Sequence, residues 1–487
     1  MGEDGSNDQG ARPPGRSRGT GTERRGRVLS SLVALAAIHS IVACIPGGPP
    51  PSPPPVLDDA VAPPLQMQVQ LPVARFDLPN GLEVVVAPDG RRSHDVAVRL
   101  RYHAGSTDDP ADLPGLAHLV EHLSFLASPE IPNDTFIGEL ERIGARNVNG
   151  VTRWDSTEYE AVVDRGALER VLWMERQRMI SPIDKVDERT FAREVRVVQD
   201  ELRLRGRDEV TPLVERTAAR LVFGEDHPYA RSPGGDSESV ARATRADAAA
   251  LHRRIYGPNN ATLVLVGDVT VERARALATR YFGDVPPIAR STPREWPAPR
   301  MAHKRMAHIE APIPRPRIAI AWPLPPLGTP ELAEVEAAVR VASDACVRLS
   351  ARHRLRAQVG GLGGFAVVVA ESLDGKSAVD TYDAYATALE EQSVTTAQVQ
   401  GHRASGLAAL LFRLEALQSR AELLASYAAV RGRPDAIGDE LAELSAVEAR
   451  GVDRIMQTRI RPRDARAVVV VTANPSAPPA GRVVEVR

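Results

Sequence analysis

The residues best suited to chemistry lie in one short part of this 487-residue sequence, where the pattern His118-x-x-Glu121-His122 occurs. On a helix, His118 and His122 stand one turn apart on the same face, so each can give a ring nitrogen to a single zinc ion. Zinc lowers the pKa of a water in its open fourth position to about 7. We therefore expect Glu121, on the same side of the helix, to be the general base that takes a proton from this water.

The residues that flank this pattern are apolar, which predicts that its helix is largely buried. Leu116, Leu119, Val120 and Leu123 surround the polar side chains. A helix that carries two surface histidines and a glutamate is the alternative interpretation. Buried histidines beside a carboxylate need partners, and a metal ion supplies them, so the sequence favours a metal site.

A third metal ligand must come from elsewhere in the chain, and segment 191–202 is the candidate. It has an apolar stripe at helical spacing, and Glu194 and Glu201, seven positions apart, share a face at the edge of that stripe. A carboxylate at an apolar face is costly unless something compensates its charge. Without the histidine pattern, two solvated glutamates on an amphipathic helix would be the default interpretation.

The elements around these residues follow an α+β pattern. Asn80-Gly81 is a strong turn signal between two β-like stretches. Residues 96–102 alternate apolar and polar side chains, as a half-buried strand does. Helical patterns follow at about residues 115–127, 134–143, 166–180 and 187–205.

A weak internal repeat predicts a second, related half. Residues 254–266 contain a helix end, a proline turn and a strand, and residues 460–471 repeat this order. A proline-rich stretch from residue 286 separates the copies, and a new strand at 318–322 follows it. We expect an α+β fold of two related half-domains, each a mostly antiparallel sheet with packed helices.

The first 72 residues do not resemble a folded domain. A polar, arginine-rich leader precedes an apolar run, 28–43, which is shorter than the roughly 20 residues of a membrane span. A positive flank before a short apolar stretch is typical of an export signal. The run is followed by Cys44, in a context that resembles the cleavage and lipid-attachment site of bacterial lipoproteins. A plain signal peptide with an incidental cysteine is the alternative.

These features predict an exported lipoprotein of the bacterial cell envelope, held at the membrane through Cys44. Ile45 follows the cysteine, which favours the outer membrane of a Gram-negative host, facing the periplasm or the outside. The net charge of −2 gives no indication of a nucleic-acid partner. The predicted divisions are an export signal (1–43), a proline-rich linker (44–72), an N-terminal zinc-bearing domain (73–285), an interdomain linker (286–312), a related C-terminal domain (313–475) and a tail (476–487).

Taken together, these patterns resemble the pitrilysin and insulinase superfamily of zinc metallopeptidases. The resemblance is to its shorter bacterial branch, which is similar to mitochondrial processing peptidase subunits. That family carries His-x-x-Glu-His and, later, a helix with two glutamates seven apart, and segments 78–86, 102–106 and 149–159 also match its pattern. The resemblance implies that Glu201 is the third zinc ligand, that Glu194 supports the site, and that each chain binds one Zn2+.

The resemblance also implies a clamshell of two half-domains that hydrolyses peptide bonds. An extended peptide substrate would add a strand to the sheet edge near Asn149–Tyr159, with Asn149 a substrate-binding residue. In the second half, the family carries an arginine and a tyrosine that hold the substrate carbonyl. Arg356 matches the arginine, but Gly363 stands at the position of the tyrosine. Either the alignment slips here, or a sister peptidase-like subunit or the second copy of a homodimer supplies that function.

The alternative function belongs to another class of protein. It is a non-catalytic partner lipoprotein that completes the chamber of an active sister chain. The intact set of His118, Glu121, His122 and Glu201 argues against it, since a silent subunit needs none of these residues.

The lipoprotein hypothesis predicts the behaviour of a Cys44→Ser variant. Serine has no thiol to receive the lipid, so the variant should be released from the membrane fraction or keep its signal uncut. Cell fractionation and the electrophoretic mobility of the protein measure this. A variant that fractionates and migrates like the wild type would show that Cys44 carries no anchor.

Overall fold

A computed structural model describes residues 69, 71–90, 93–126, 128–132, 135–205, 210–289, 296–350, 352–478 and 481–486. These residues build two six-stranded sheets. The first sheet comprises β1 (Ala74–Asp77), β2 (Glu83–Pro88), β3 (Asp95–Tyr102), β4 (Arg146–Thr152), β5 (Thr157–Asp164) and β6 (Ala261–Gly267), in the order β1-β2-β6-β3-β5-β4. The second comprises β7 (Arg305–Ala311), β8 (Arg317–Leu324), β9 (His353–Gly360), β10 (Gly363–Glu371), β11 (Ala467–Ala473) and β12 (Arg482–Val486), in the order β12-β7-β11-β8-β10-β9.

Helices cover both sheets. Those of the first half are α1 (Leu116–Leu123), α2 (Phe136–Arg142), α3 (Leu168–Met179), α4 (Glu188–Arg205), α5 (Thr211–Phe223), α6 (Ser237–Arg242), α7 (Arg245–Ile255) and α8 (Val271–Phe282). Those of the second half are α9 (Leu332–Leu349), α10 (Ala378–Glu391), α11 (Thr396–Glu415), α12 (Leu417–Arg431), α13 (Ile437–Ser445) and α14 (Ala449–Ile455). The helices predicted from the sequence are therefore present, with ends that differ by a few residues.

Five strands of each sheet repeat one topology, and the sixth differs, because β1 comes first in the chain whereas β12, at the same edge, comes last. In each, the strand that follows the proline turn is central: β6 lies parallel to β2 and antiparallel to β3, and β11 lies parallel to β7 and antiparallel to β8. The other pairings are antiparallel. The predicted α+β fold of two related halves with mostly antiparallel sheets is confirmed.

Two predicted boundaries need correction. Strand β7 lies inside the range 286–312 that was predicted as a linker, because its pattern of buried residues, Ala307, Ile309 and Ala311, continues the second sheet. Strand β12 lies inside the predicted tail, 476–487, and pairs antiparallel with β7. All five side chains of β12 are exposed, so no apolar alternation marks it in the sequence.

The predicted export signal, with Cys44 and the linker up to residue 68, lies outside the described residues. Among the helices that the structure describes, none combines the length and the apolar character needed to cross a membrane.

Each half also packs a helix on the sheet of the other half. Helix α12, from the second half, covers one face of the first sheet, where Ala421 and Leu424 pack with Val85, Ala97 and Val264. Helix α5, from the first half, covers one face of the second sheet with a cluster that is again apolar. The two halves are therefore joined through their cores and not only through the linker.

This exchange predicts that a residue of the second half stabilises the first sheet. Leu424 is fully buried (0% exposed) against that sheet, so Leu424→Ala should lower the free energy of unfolding by about 2–5 kcal/mol. Phe412→Ala on the neighbouring helix α11 is the control, because Phe412 is 75% exposed and should cost within about 0.5 kcal/mol. Urea denaturation measures both. Equal losses in the two variants would contradict packing of α12 on the first sheet.

Candidate metal centre and active site

Helix α1 places the histidine pattern inside the first half. Its apolar residues pack into the core of the first sheet, and His118 is only 2% exposed. At the C-terminal end of the helix, the buried guanidinium of Arg178 donates to the Ser124 carbonyl at 3.1 Å and stacks on the rings of Phe125 and Tyr159. A positive charge at a helix C-terminus is favourable. The end of α1 that carries His122 is therefore held by a side chain from α3.

The two histidines and Glu201 meet at one point. Glu201, on α4, has its Oε2 3.4 Å from His118 Nε2 and 3.3 Å from His122 Nε2. A tetrahedral zinc with bonds of about 2.0–2.2 Å places neighbouring ligand atoms roughly 3.3–3.6 Å apart. A direct charge-assisted hydrogen bond would be shorter, at about 2.7–2.9 Å. The spacing of these three atoms thus fits three corners of a zinc coordination sphere.

Glu194 lies on the other side of His122. Its Oε2 is 3.7 Å from His122 Nδ1, the ring nitrogen that faces away from Glu201. Metal-binding histidines commonly direct their second nitrogen to a carboxylate. Burial lowers the pKa of His122, but the carboxylates of Glu194, Glu201 and Glu121 outweigh it and raise this pKa to about 10. The surroundings of His122 therefore favour a positive charge, whether a proton or a metal ion.

Glu121 belongs to the same cluster, since His118, Glu121 and His122 offer ligand atoms within 4.8 Å of one another. By distance alone, Glu121 could also be a ligand. Its contacts indicate a role other than that of a ligand. Thr152, on β4, donates its hydroxyl to Glu121 Oε2 at 2.7 Å. A Cβ added at Gly150 would lie 2.6 Å from Glu121 Oε1. Strand β4 thus holds the carboxylate of Glu121 beside His118 and His122, and the glycine at position 150 leaves room for it in this position.

Asn149 lies on the same strand, next to Gly150, and is buried. Among the described strands, β4 pairs only with β5, and it ends the order of the first sheet. Its second edge is therefore able to pair with an extended chain. The sequence prediction that a substrate adds at this edge is compatible with this position, because the same strand contacts Glu121.

The structure does not bring Arg356 to this cluster through any contact that it describes. Arg356, on β9, forms an ion pair with Glu215 of α5. Gly363, at the start of β10, has φ +128°, and a Cβ there would lie 2.6 Å from Pro299 Cδ. Any side chain at position 363 would therefore be strained in this backbone.

The turn that contains this glycine is fixed to the first half. Asp155, in the turn between β4 and β5, accepts a hydrogen bond from the Gly361 amide at 2.8 Å. Tyr229 donates to the same carboxylate and accepts from the Leu362 amide at 3.1 Å. The β9–β10 turn therefore lies directly against the hairpin that carries β4.

Sequence reasoning did not assign roles to several residues that position this cluster. Thr152 and Gly150 stand in a segment that matches the family pattern, which is the signal that could have identified them. Arg178 has no such signal, because its contact with the end of α1 joins residues 54 positions apart.

Comparison with known proteins gives two family models that match the chain. The model described as "Insulinase (Peptidase family M16)" matches residues 84–220, and "Peptidase M16 inactive domain" matches residues 242–356. Coenzyme PQQ synthesis protein F of Pseudomonas aeruginosa is 34% identical over 212 residues, which are 43% of this chain and 27% of that protein. Zinc protease PqqE of Helicobacter pylori is 26% identical over 242 residues, 48% of this chain and 54% of that protein. The chain thus matches about a quarter to a half of the length of these relatives.

Solved structures share the fold. A protease from Helicobacter pylori superposes with a TM-score of 0.74 at 19% identity, covering 82% of this chain and 100% of that chain. The periplasmic protease PqqL from Escherichia coli gives a TM-score of 0.66 at 20% identity, covering 83% of this chain and 48% of that chain. These likenesses agree with the predicted clamshell of two α+β halves. Both halves are matched by models of one family, and the chain belongs to the insulinase family of peptidases, M16, within the pitrilysin and insulinase superfamily.

Proposed function

We propose that this protein is a zinc-dependent endopeptidase that hydrolyses extended peptides or unfolded protein segments. The observation that carries the proposal is the position of Glu201 Oε2, which lies 3.3 and 3.4 Å from the Nε2 atoms of two buried histidines. Relatives named zinc proteases support it. Assignment to the processing-peptidase branch of the family remains a prediction.

In this proposal, His118, His122 and Glu201 hold one Zn2+, and Glu194 orients the ring of His122. Two neutral imidazoles and one carboxylate are a donor set typical of catalytic zinc, and they leave one position open. When bound, the metal would supply Lewis acidity toward the scissile carbonyl and a water. All the remaining steps fall to side chains of this chain.

Glu121 is the proposed general base. Its carboxylate takes a proton from the attacking water and afterwards gives it to the leaving amine. The hydrogen bond from the Thr152 hydroxyl to Glu121 Oε2 at 2.7 Å orients this carboxylate. Because Thr152 lies on β4, the strand that would pair with the substrate also orients the base.

The substrate is an extended peptide that adds to β4, with Asn149 as a contact residue. Main-chain pairing of this kind accepts many sequences. Export to the bacterial cell envelope would place the enzyme where the related PqqL, a periplasmic protease, acts. Anchoring through Cys44 belongs to the same proposal.

A second candidate function follows from the second half. Arg356 pairs with Glu215, and any side chain at position 363 would be strained. A sister peptidase-like subunit, or a second copy of this chain, would then supply the groups that hold the substrate carbonyl. In the limiting case, this chain is a non-catalytic partner of an active sister chain.

Zinc binding tests the ligand set. We expect one zinc per chain, and loss of more than about 100-fold in affinity in His118→Ala, His122→Ala and Glu201→Ala, because each removes a ligand. Glu194→Gln should lose about 10–100-fold, as residues that orient a ligand do. Asp200→Ala is the matched control, since its side chain is exposed and pairs with Arg203. Competition with a chelating dye measures all five variants. Full retention of zinc by Glu201→Ala would place the third ligand elsewhere, with Glu194 the first residue to examine.

Replacement of the proposed base tests catalysis. Glu121→Gln keeps the shape of the side chain but cannot accept the proton near neutral pH, so kcat should fall by about 10²–10⁴-fold while zinc content and KM change little. The assay measures cleavage of unfolded peptides by the chain alone and with a sister subunit. Glu141→Gln, at an exposed position of α2, is the control and should leave kcat unchanged. If the wild type cleaves peptides and Glu121→Gln cleaves them equally fast, the zinc site of this chain does not perform the reaction, and the partner function replaces it.

A further inference from the structure

The N-terminus of α1 is held by a carboxylate that lies outside the helix. Its N-cap residue is Gly115, with φ 95°, which has no side chain to accept from the first amides. Asp109 caps the helix instead. Its Oδ2 accepts from the Gly115 amide and its Oδ1 from the Ala117 amide, both at 2.7 Å. A negative charge at this end of a helix is favourable. Asp109 is 7% exposed, so it is a buried carboxyl group, and its Oδ1 accepts from the residue directly before His118.

A second contact at the same end comes from the loop of residues 234–239, which precedes and begins α6. The backbones cross closely, since a Cβ at Gly115 would lie 2.5 Å from the Gly234 carbonyl oxygen, and a Cβ at Gly235 would overlap the Pro114 carbonyl. Ser239 donates its hydroxyl to the same Pro114 carbonyl at 2.7 Å. The loop therefore fixes where α1 begins.

The same loop also contacts α4, the helix that carries Glu201. Gln199 donates from Nε2 to the Ser237 carbonyl at 2.9 Å, and Nε2 lies 3.0 Å from the Ser237 hydroxyl. Gln199 precedes Glu201 by two positions. One loop is thus joined by hydrogen bonds to α4 and to Pro114, the residue before the N-cap of α1, and these two helices carry the side chains that meet at the proposed metal site.

We propose that Asp109 is a positioning residue. Together with loop 234–239, it fixes the position of α1 along its axis, so that the histidines of α1 lie at the right distance from Glu201 of α4. The inference rests on the proposed function, because it explains how the proposed zinc ligands are held at their observed distances. Metal–ligand distances in such sites deviate by only about 0.2 Å from their usual values. A small shift of α1 along its axis would move both imidazoles together relative to Glu201, and affinity for the metal would fall without loss of the fold.

The test uses the full mature chain with two variants and one control. Asp109→Asn keeps the shape of the side chain, but its NH2 group would face either the Gly115 or the Ala117 amide, which is also a donor. Gln199→Met removes the hydrogen bonds between α4 and Ser237 of the loop. Asp108→Asn is the matched control, because it changes the same charge one residue earlier, where the side chain contacts Gly105 and Thr107. Burial raises the pKa of Asp109 to about 7, so the measurements are made at pH 8, where this group is ionised.

The readouts are zinc affinity, the visible spectrum of the Co2+-substituted protein, and the rise in Tm that zinc produces. We expect Asp109→Asn and Gln199→Met each to lose about 10–100-fold in zinc affinity, with an altered Co2+ spectrum and a smaller rise in Tm. The control should match the wild type. If Asp109→Asn does not fold, Gln199→Met decides the question.

Two results would overturn the proposal. In one, both variants bind zinc with the affinity and Co2+ spectrum of the wild type. In the other, they lower the Tm of the metal-free protein but leave the rise caused by zinc unchanged, which would make Asp109 an ordinary helix cap. Peptide cleavage by the wild type is measured in parallel. A wild type that binds zinc but cleaves nothing would refute the proposed function and leave the positioning role to be judged by the metal readouts.

Discussion

The structure depends on one constraint, which is that two helices from separate parts of the chain bring the Nε2 atoms of two histidines to within 3.4 Å of one glutamate oxygen. His118 and His122 come from α1, and Glu201 comes from α4. Side chains of opposite charge hold the two ends of α1, with Asp109 at its N-terminus and Arg178 at its C-terminus. Both are buried, and burying a charge is costly unless it is paired or hydrogen-bonded. Here the helix ends supply hydrogen-bonding groups, Arg178 is also paired with Glu175, and the charges match the direction of the helix dipole.

Strand β4 connects this centre to the surface where a peptide would bind. It ends the first sheet, and its Thr152 and Gly150 contact the carboxylate of Glu121. In the proposed function, a substrate that pairs with β4 would therefore be aligned by the same strand that orients Glu121. This coupling offers a physical reason for a glycine in the middle of a strand, where glycine otherwise weakens the sheet.

The second half repeats five of the six strands of the first, but among the described residues the candidate metal cluster lies in the first half. Its sheet supports the first half through the exchange of α5 and α12 and through the contact of the β9–β10 turn with Asp155. That turn needs glycine at position 363, where a side chain would meet Pro299. The geometry that joins the halves thus disfavours any side chain at position 363.

The sequence by itself determined the local features. The spacing of His118 and His122 follows from the helical repeat, the Asn80-Gly81 turn from the conformations that these residues favour, and the relation of β6 to β11 from the repeated proline turn and strand. Only the tertiary structure decided the rest. The positions of β7 and β12 depend on pairing with distant strands, and β12 buries none of its side chains. The contacts of Asp109, Arg178 and Gln199 leave no periodic trace, because each joins a side chain to the backbone of another segment. Hydrophobic periodicity reports which face of an element is buried, whereas the register between two helices is set by such single contacts across the fold.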